Sequence, residues 1–126
     1  MSPQLRLAAD RTLVECGAAV TGTATWTGNT GRRAVEVVLR YRTQGRGDTD
    51  AAVVARYHLG IAAAGRARFR LHVPPGGPVT YHGHLLRLSW QAILVVKATW
   101  SFGWPTTGPA VVDLTVAPLG WTRFTI

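Results

Sequence analysis

The segment at residues 66–73 alternates strictly between basic and apolar side chains. Its apolar members are Ala67, Phe69, Leu71 and Val73, and its basic members are Arg66, Arg68, Arg70 and His72. Because successive side chains of a β-strand point to opposite faces, this pattern predicts a strand with one face in a core and one in solvent. The Pro-Pro-Gly-Gly-Pro run that follows cannot continue a central strand, since proline lacks the N–H that a sheet ladder uses. The chain therefore turns at an exposed corner.

The rest of the chain is built in the same way, with little helical periodicity. Short segments of high β-propensity alternate with breaks made of Gly, Pro, Asn and Asp. The segment at residues 85–102 is apolar on both faces and too long for one flat strand, so we expect it to bend. The pattern predicts strands near residues 5–7, 20–26, 35–42, 52–60, 66–73, 85–102, 111–117 and 121–126. It indicates an all-β, two-sheet antiparallel sandwich, and we expect residues 1–126 to form a single domain.

Several segments resemble the arrestin-like family. They are Val20-Thr-Gly22, the strand and Gly-rich turn at residues 37–47 with Asp48 or Asp50 in the acidic position after it, Phe69-x-Leu-x-Val-Pro74, Pro78-x-Thr-Tyr-x-Gly83 and Leu88-x-Trp90. On these motifs the chain resembles the arrestin-like or immunoglobulin-like β-sandwich, especially the bacterial branch that includes the sporulation-control proteins. Two features depart from the family pattern. Glu15-Cys16-Gly17 stands where the family has a Pro-Gly-Glu bend, and arrestins usually hold two sandwiches in tandem whereas this chain has the length of one.

The resemblance implies an adaptor or scaffold that binds partners without catalysis. We therefore predict no catalytic residue, no cofactor and no metal. Cys16 has no nearby His or Lys to activate its thiol, and a small residue at a strand bend explains it better. His82 and His84 would share a strand face, but a zinc site needs further ligands that the sequence does not place nearby.

The charge of the chain favours an anionic partner. Basic residues number 14 against 6 acidic ones, for a net charge of +8, and all but Lys97 of the basic residues are arginines. Arginine presents a planar fork that suits carboxylates and phosphates, so the candidates are an acidic or phosphorylated protein segment, nucleic acid or an anionic membrane. The alternative is a compositional bias towards arginine that leaves solvated strand faces without a function.

The predicted partner-binding residues form a basic stripe. Its members are Arg66, Arg68, Arg70 and His72, with Arg40 and Arg42 extending it if their strand lies in the same sheet. Its outward positions hold no aromatic side chain on which nucleic-acid bases would stack, which favours acidic protein segments or phosphates. A nucleic-acid-binding β-domain is kept as the second alternative function.

The first alternative is a self-assembling subunit of a larger complex. A sandwich strand needs one apolar face, and a lone arrestin-like domain exposes the surface that its tandem partner would cover. The predicted partner or oligomer contact consists of Ile93, Val95, Trp100, Trp104 and Trp121.

Two further expectations concern the corner and the compartment. We expect Tyr81 to be at least half buried and Gly83 to be required for its backbone shape. The chain has a single cysteine, and its N-terminus lacks the basic-then-apolar pattern of a signal peptide, so we expect a cytoplasmic protein. Its apolar runs are too short for a transmembrane helix, so we expect no transmembrane segment.

Overall fold

The computed structural model describes residues 4–27, 34–45, 48–60, 64–83, 86–96 and 109–118. Within these ranges the secondary structure consists of β-strands. They are β1 Gln4–Ala9, β2 Leu13–Glu15, β3 Ala19–Thr27, β4 Val35–Gly45, β5 Asp48–Gly60, β6 Gly65–His72, β7 Tyr81–His82, β8 Leu86–Val96 and β9 Val111–Ala117. No helix in these ranges is long and apolar enough to cross a membrane.

The strands form two sheets that pack face to face, as predicted. The smaller sheet has the order β1-β3-β6, and the larger has the order β2-β9-β8-β4-β5, with β7 also paired to β8. Two short strands were not predicted, because two or three residues are too few to show a period. One of them, β2, pairs with β9 in parallel, so the larger sheet departs from the expected antiparallel pattern.

The main core lies between the inward faces of the two sheets. Side chains of alternate residues on β3 and β6 meet those of β4, β8 and β9, and nearly all of them are inaccessible to solvent. Its largest members are Trp26, Leu39, Phe69, Leu71, Trp90 and Leu94. The indole Nε1 of Trp90 donates a hydrogen bond to the Pro78 carbonyl at 2.9 Å, which satisfies the polar atom of a fully buried ring. The core therefore follows the predicted period of two.

Gly22 lies where the smaller sheet leaves no room for a side chain. It lies on the inward face of β3, opposite Ala9 on β1 and Phe69 on β6. A Cβ atom at this position would overlap the carbonyl oxygen of Ala8 and come within 2.7 Å of the Phe69 ring. Glycine is therefore required here by space.

The outer face of the larger sheet is also partly buried. Val38, Ile93 and Val95 form a second apolar cluster with Val111 packed against it. Ile93 is 0% exposed and Val95 is 2% exposed within the single chain. The prediction that these two residues form a partner or oligomer contact is therefore wrong. Trp100, Trp104 and Trp121, the other members of that predicted contact, lie outside the described residues.

The corner before β8 differs from the prediction in two respects. Tyr81 is 56% exposed, so the expectation that it would be at least half buried is wrong. Gly83 does not adopt a left-handed backbone conformation, unlike Gly17, Gly60 and Gly77. A Cβ atom on Gly83 would overlap the Tyr81 ring instead. The constraint on Gly83 is the ring that lies against it.

Candidate functional site

The outer face of the smaller sheet carries the predicted basic stripe. Arg66, Arg68, Arg70 and His72 are exposed on alternate positions of β6. The β3 residues opposite the three arginines are threonines, and Arg6 on β1 lies across Thr25 from Arg66. We call this surface the basic face, and define it as Arg6, Arg66, Arg68, Arg70 and His72 with the intervening Thr21, Thr23 and Thr25.

One arginine of the basic face is held by an acidic residue. The Nη1 atom of Arg68 lies 3.0 Å from Asp10 Oδ1 and 3.2 Å from Thr23 Oγ1, and Thr21 Oγ1 donates to Asp10 Oδ2 at 2.8 Å. The hydrogen bond from Arg68, followed by that from Thr21, lowers the pKa of Asp10 to about 2. The same contact raises the pKa of Arg68 above its ordinary value. The positive charge of Arg68 is therefore balanced by Asp10 within the basic face.

The other arginines of the basic face make no ion pair with any residue in the described ranges. The ion pairs there are Arg56 with Glu36, His58 with Glu36 and Arg68 with Asp10. Arg6, Arg66 and Arg70 are exposed to solvent and take part in none of these. Threonine between them fits a strand through its β-branched side chain and adds hydroxyl groups without adding charge. The face therefore presents three guanidinium groups that have no ion-pair partner among the described residues.

Strand β6 also forms an edge of its sheet among the described strands. One side of it pairs with β3, and no described strand pairs with the other. An edge strand offers main-chain N–H and C=O groups to an added strand. The free edge thus runs alongside Arg66, Arg68 and Arg70.

Arg40 and Arg42 do not extend the basic stripe, so that part of the prediction is wrong. Both lie on β4 in the larger sheet, because β4 pairs with β5 and β8 rather than with β6. Arg40 is 7% exposed, and its Nε and Nη2 atoms donate to Gln91 Oε1 at 3.3 and 3.0 Å. Burial, with a smaller effect of the nearby Arg42, lowers the pKa of Arg40.

Arg42 instead lines a second basic surface that the sequence analysis missed. A groove with a volume of about 410 Å³ lies at the outer face of the larger sheet. Its lining includes Arg42, Thr80, His82, Arg87, Ser89, Gln91, Asp113 and Thr115. We call it the polar groove. The alternation of Arg87, Ser89 and Gln91 with Leu88 and Trp90 was a signal that could have identified it.

Metal-ligand chemistry is not evident in the part of the chain that the structure describes. No group of three His, Cys, Asp or Glu side chains lies close enough there to hold an ion. His84, one member of the histidine pair considered above, lies outside the described residues.

Comparison with known proteins supports the fold. No protein-family model matches the sequence, and no curated protein matches it. Among solved structures, Spo0M, the sporulation control protein of Bacillus subtilis, matches with a TM-score of 0.62 and 12% sequence identity. The match covers 98% of this chain and 52% of Spo0M. The chain has the arrestin-like β-sandwich fold. It spans about half the length of Spo0M, and at this identity the likeness extends to the fold alone.

A second match is weaker. The alkylpurine DNA glycosylase AlkC of Pseudomonas fluorescens, bound to DNA containing an abasic site analog, aligns with a TM-score of 0.40 and 12% identity. It covers 90% of this chain and 30% of the glycosylase. A likeness at this level supports no argument about the present chain.

Proposed function

We propose that this protein is a non-enzymatic adaptor or scaffold that binds an acidic segment of a partner protein along the basic face. The observation that carries the proposal is the set of three exposed guanidinium groups, on Arg6, Arg66 and Arg70, that make no ion pair within the described ranges. Charged side chains gathered on one face, without acidic neighbours to neutralise them, suit a partner of opposite charge.

The spacing of the arginines suits an extended partner. Alternate residues of β6 stand roughly 7 Å apart along the strand, and alternate side chains of any extended segment have the same spacing. Acidic residues of an extended partner would therefore meet Arg66 and Arg70, on either side of the Arg68 that Asp10 already holds. Guanidinium groups bind carboxylates through paired, charge-assisted hydrogen bonds. A segment at the free edge of β6 would also gain main-chain hydrogen bonds.

The proposal includes no catalytic step and no cofactor. The basic face consists of guanidinium, imidazole and hydroxyl groups on a broad sheet surface, a set that suits binding of an anion. We place this adaptor in the cytoplasm, where the single cysteine of the chain would remain a free thiol.

A pair of synthetic peptides tests the proposal. One peptide alternates Glu with Thr, and the other has the same composition with its Glu residues in one block. We expect the alternating peptide to bind more tightly in fluorescence polarisation, and its affinity to fall as salt is raised. The double variant Arg66→Ser/Arg70→Ser should weaken binding by at least about tenfold, since hydrogen bonds to charged groups contribute about 1.5–3 kcal/mol each.

The matched control is Arg42→Ser/Arg87→Ser, which removes two charges from the opposite sheet. It should leave peptide affinity within about threefold of the wild type, because charges beyond a Debye length of about 8 Å are largely screened at physiological salt. Equal losses in the two double variants would mean that only net charge matters. Wild-type affinity in Arg66→Ser/Arg70→Ser would refute the proposal.

The same assay addresses the two alternative functions. Tighter binding of random single-stranded DNA than of the alternating peptide would favour the nucleic-acid-binding domain. Self-assembly predicts a concentration-dependent elution volume, and a monomer at micromolar concentration would exclude it. The burial of Ile93 and Val95 within one chain removes two of the residues that favoured self-assembly.

A further inference from the structure

The polar groove brings basic side chains from three strands to one place. On the outer face of the larger sheet, Arg42 on β4 lies directly opposite Ser89 on β8. Two residues along β8, Arg87 lies opposite His82 on β7. Directly opposite residues have Cβ atoms about 5 Å apart, and diagonal neighbours about 7–8 Å, within reach of long side chains. Arg42, His82 and Arg87 therefore face the same groove, and all three line it.

The acidic residue in the lining of the groove, Asp113, already accepts a hydrogen bond. Asp113 lies opposite Gln91, four residues along β8 from Arg87, and its Oδ1 accepts a hydrogen bond from Gln91 Nε2 at 3.0 Å. The Oε1 atom of the same Gln91 accepts from Arg40 Nη2 at 3.0 Å. Gln91 thus links the buried Arg40 to Asp113. Arg42 and Arg87 make no ion pair with a described residue, so the groove keeps a positive balance.

Hydroxyl groups complete the lining of the polar groove beside the basic side chains. Thr80, Ser89 and Thr115 all contribute to it. Thr80 Oγ1 accepts a hydrogen bond from the main-chain N–H of Val116 at 2.8 Å, which fixes the oxygen and leaves its own O–H to donate. Like charges on neighbouring strands destabilise a sheet, and a bound anion would remove that repulsion. The groove is therefore arranged to donate hydrogen bonds to a compact anion.

We propose that the polar groove binds the phosphate group of a phosphate monoester, with Arg42 and Arg87 as its two charged contacts. Such a group carries close to two negative charges at neutral pH and has three strong acceptor oxygens. Two guanidinium forks, the N–H of His82 and the hydroxyls match that charge and number of acceptors. A carboxylate has one charge and two oxygens and would leave one arginine without a partner. This site lies on the opposite side of the sandwich from the basic face and is independent of the function proposed above.

Small phosphate monoesters test the proposal at constant ionic strength. N-acetyl-O-phosphoserine amide and AMP are added to the isotopically labelled protein, with N-acetylserine amide as the unphosphorylated control. We expect both phosphorylated probes to cause saturable shifts of the Ser89 and Thr115 amide signals. A preference for one probe identifies the source of the phosphate and supports the site in either case. Equal shifts with the unphosphorylated probe, or shifts confined to β6, would overturn the proposal.

Single substitutions distinguish this site from the basic face. Arg87→Ser should weaken phosphoserine amide binding by at least about tenfold, the effect of losing one hydrogen-bonded charged contact. Arg42→Ser should have a similar effect. Arg87 is exposed, so its variant should keep the wild-type spectrum elsewhere.

Arg70→Ser removes the same charge from the opposite sheet and should leave phosphoserine amide affinity within about twofold, since screening over that distance is strong. Loss of binding in Arg70→Ser with no loss in Arg87→Ser would overturn the groove while leaving the basic face as a binding surface. Unchanged binding in both Arg42→Ser and Arg87→Ser would also overturn it. Failure of the Glu-Thr peptide test would leave this proposal unaffected.

Discussion

Replacement of Gly22 by alanine should destabilise the sandwich, although it adds only one methyl group. The methyl carbon would overlap the carbonyl oxygen of Ala8 and lie 2.7 Å from two carbons of the Phe69 ring. The ring can tilt, but the carbonyl belongs to the main chain of β1, which is tied to β3 by its ladder of hydrogen bonds. Relief therefore requires β1 to move away from β3.

The expected loss follows from two opposing effects. Inserting a methyl group into a filled core costs typically about 1–3 kcal/mol, and the involvement of a main-chain atom places this site at the upper end. Alanine also restricts the unfolded chain more than glycine does, which returns about 0.4–1 kcal/mol. The net loss should be about 2 kcal/mol. For a domain of this size that corresponds to a fall in melting temperature of roughly 8 °C.

Thermal unfolding followed by circular dichroism measures the effect, with Gly76→Ala as the matched control. Gly76 has no atom within 4 Å of an added Cβ and no left-handed backbone, so its replacement should be neutral or slightly stabilising. The double variant Gly22→Ala/Phe69→Leu should be less stable than Phe69→Leu alone, because the Ala8 carbonyl still overlaps the added methyl group. The reasoning would be refuted if Gly22→Ala melted at the wild-type temperature, or if the double variant melted at the same temperature as Phe69→Leu alone.

Three further predictions concern polar contacts. Trp90→Phe should lower the free energy of unfolding by at least about 2 kcal/mol, because the part-buried Pro78 carbonyl loses its donor and the smaller ring leaves a cavity in the core; an unchanged urea midpoint would contradict this. The pKa of Asp10, about 2 in the folded protein against an ordinary 3.8, is depressed, so its stabilising contact with Arg68 should persist above pH 4 and be lost as the pH falls towards 2. Carboxyl NMR titration should show the Asp10 pKa moving back towards 3.8 in Arg68→Ser, and no movement would exclude Arg68 as the main cause. Arg56→Met should destabilise more than Glu36→Gln, because Glu36 is 2% exposed and would keep only its contact with the exposed His58, whereas Arg56 is 38% exposed and open to water; urea midpoints in the reverse order would contradict this.

Strand positions were predictable where the alternation is long and the breaks are strong. The segment at 66–73 shows four apolar and four basic residues in strict order, and the structure places them on opposite faces of one strand. Strand β9 matches its predicted bounds for the same reason. Strands β2 and β7 escaped prediction because two or three residues are too few to show a period, and β2 in addition pairs with the distant β9. The predicted strand at 121–126 lies outside the described residues.

The candidate site was predictable only in part. Alternation shows that Arg66 and Arg70 point away from the core, and they do. It also indicates that Arg40 and Arg42 point away from the core, yet it does not say which sheet contains their strand. The pairing of β4 with β8 places both residues on the outer face of the larger sheet, where Arg40 is buried against Gln91. The polar groove depends on the same pairings: alternation at residues 87–91 marks an outward polar row, but strand pairing decides which side chains that row meets.

The sequence by itself determined the fold class and the inward or outward direction of most side chains, because both follow from a period of two along the chain. Only the tertiary structure decided which strands are neighbours, since pairing joins residues far apart in sequence. It therefore decided that the arginines divide between two opposite faces and that Ile93 and Val95 are buried rather than exposed. Burial depends on what packs against a face, and alternation specifies only that the face exists.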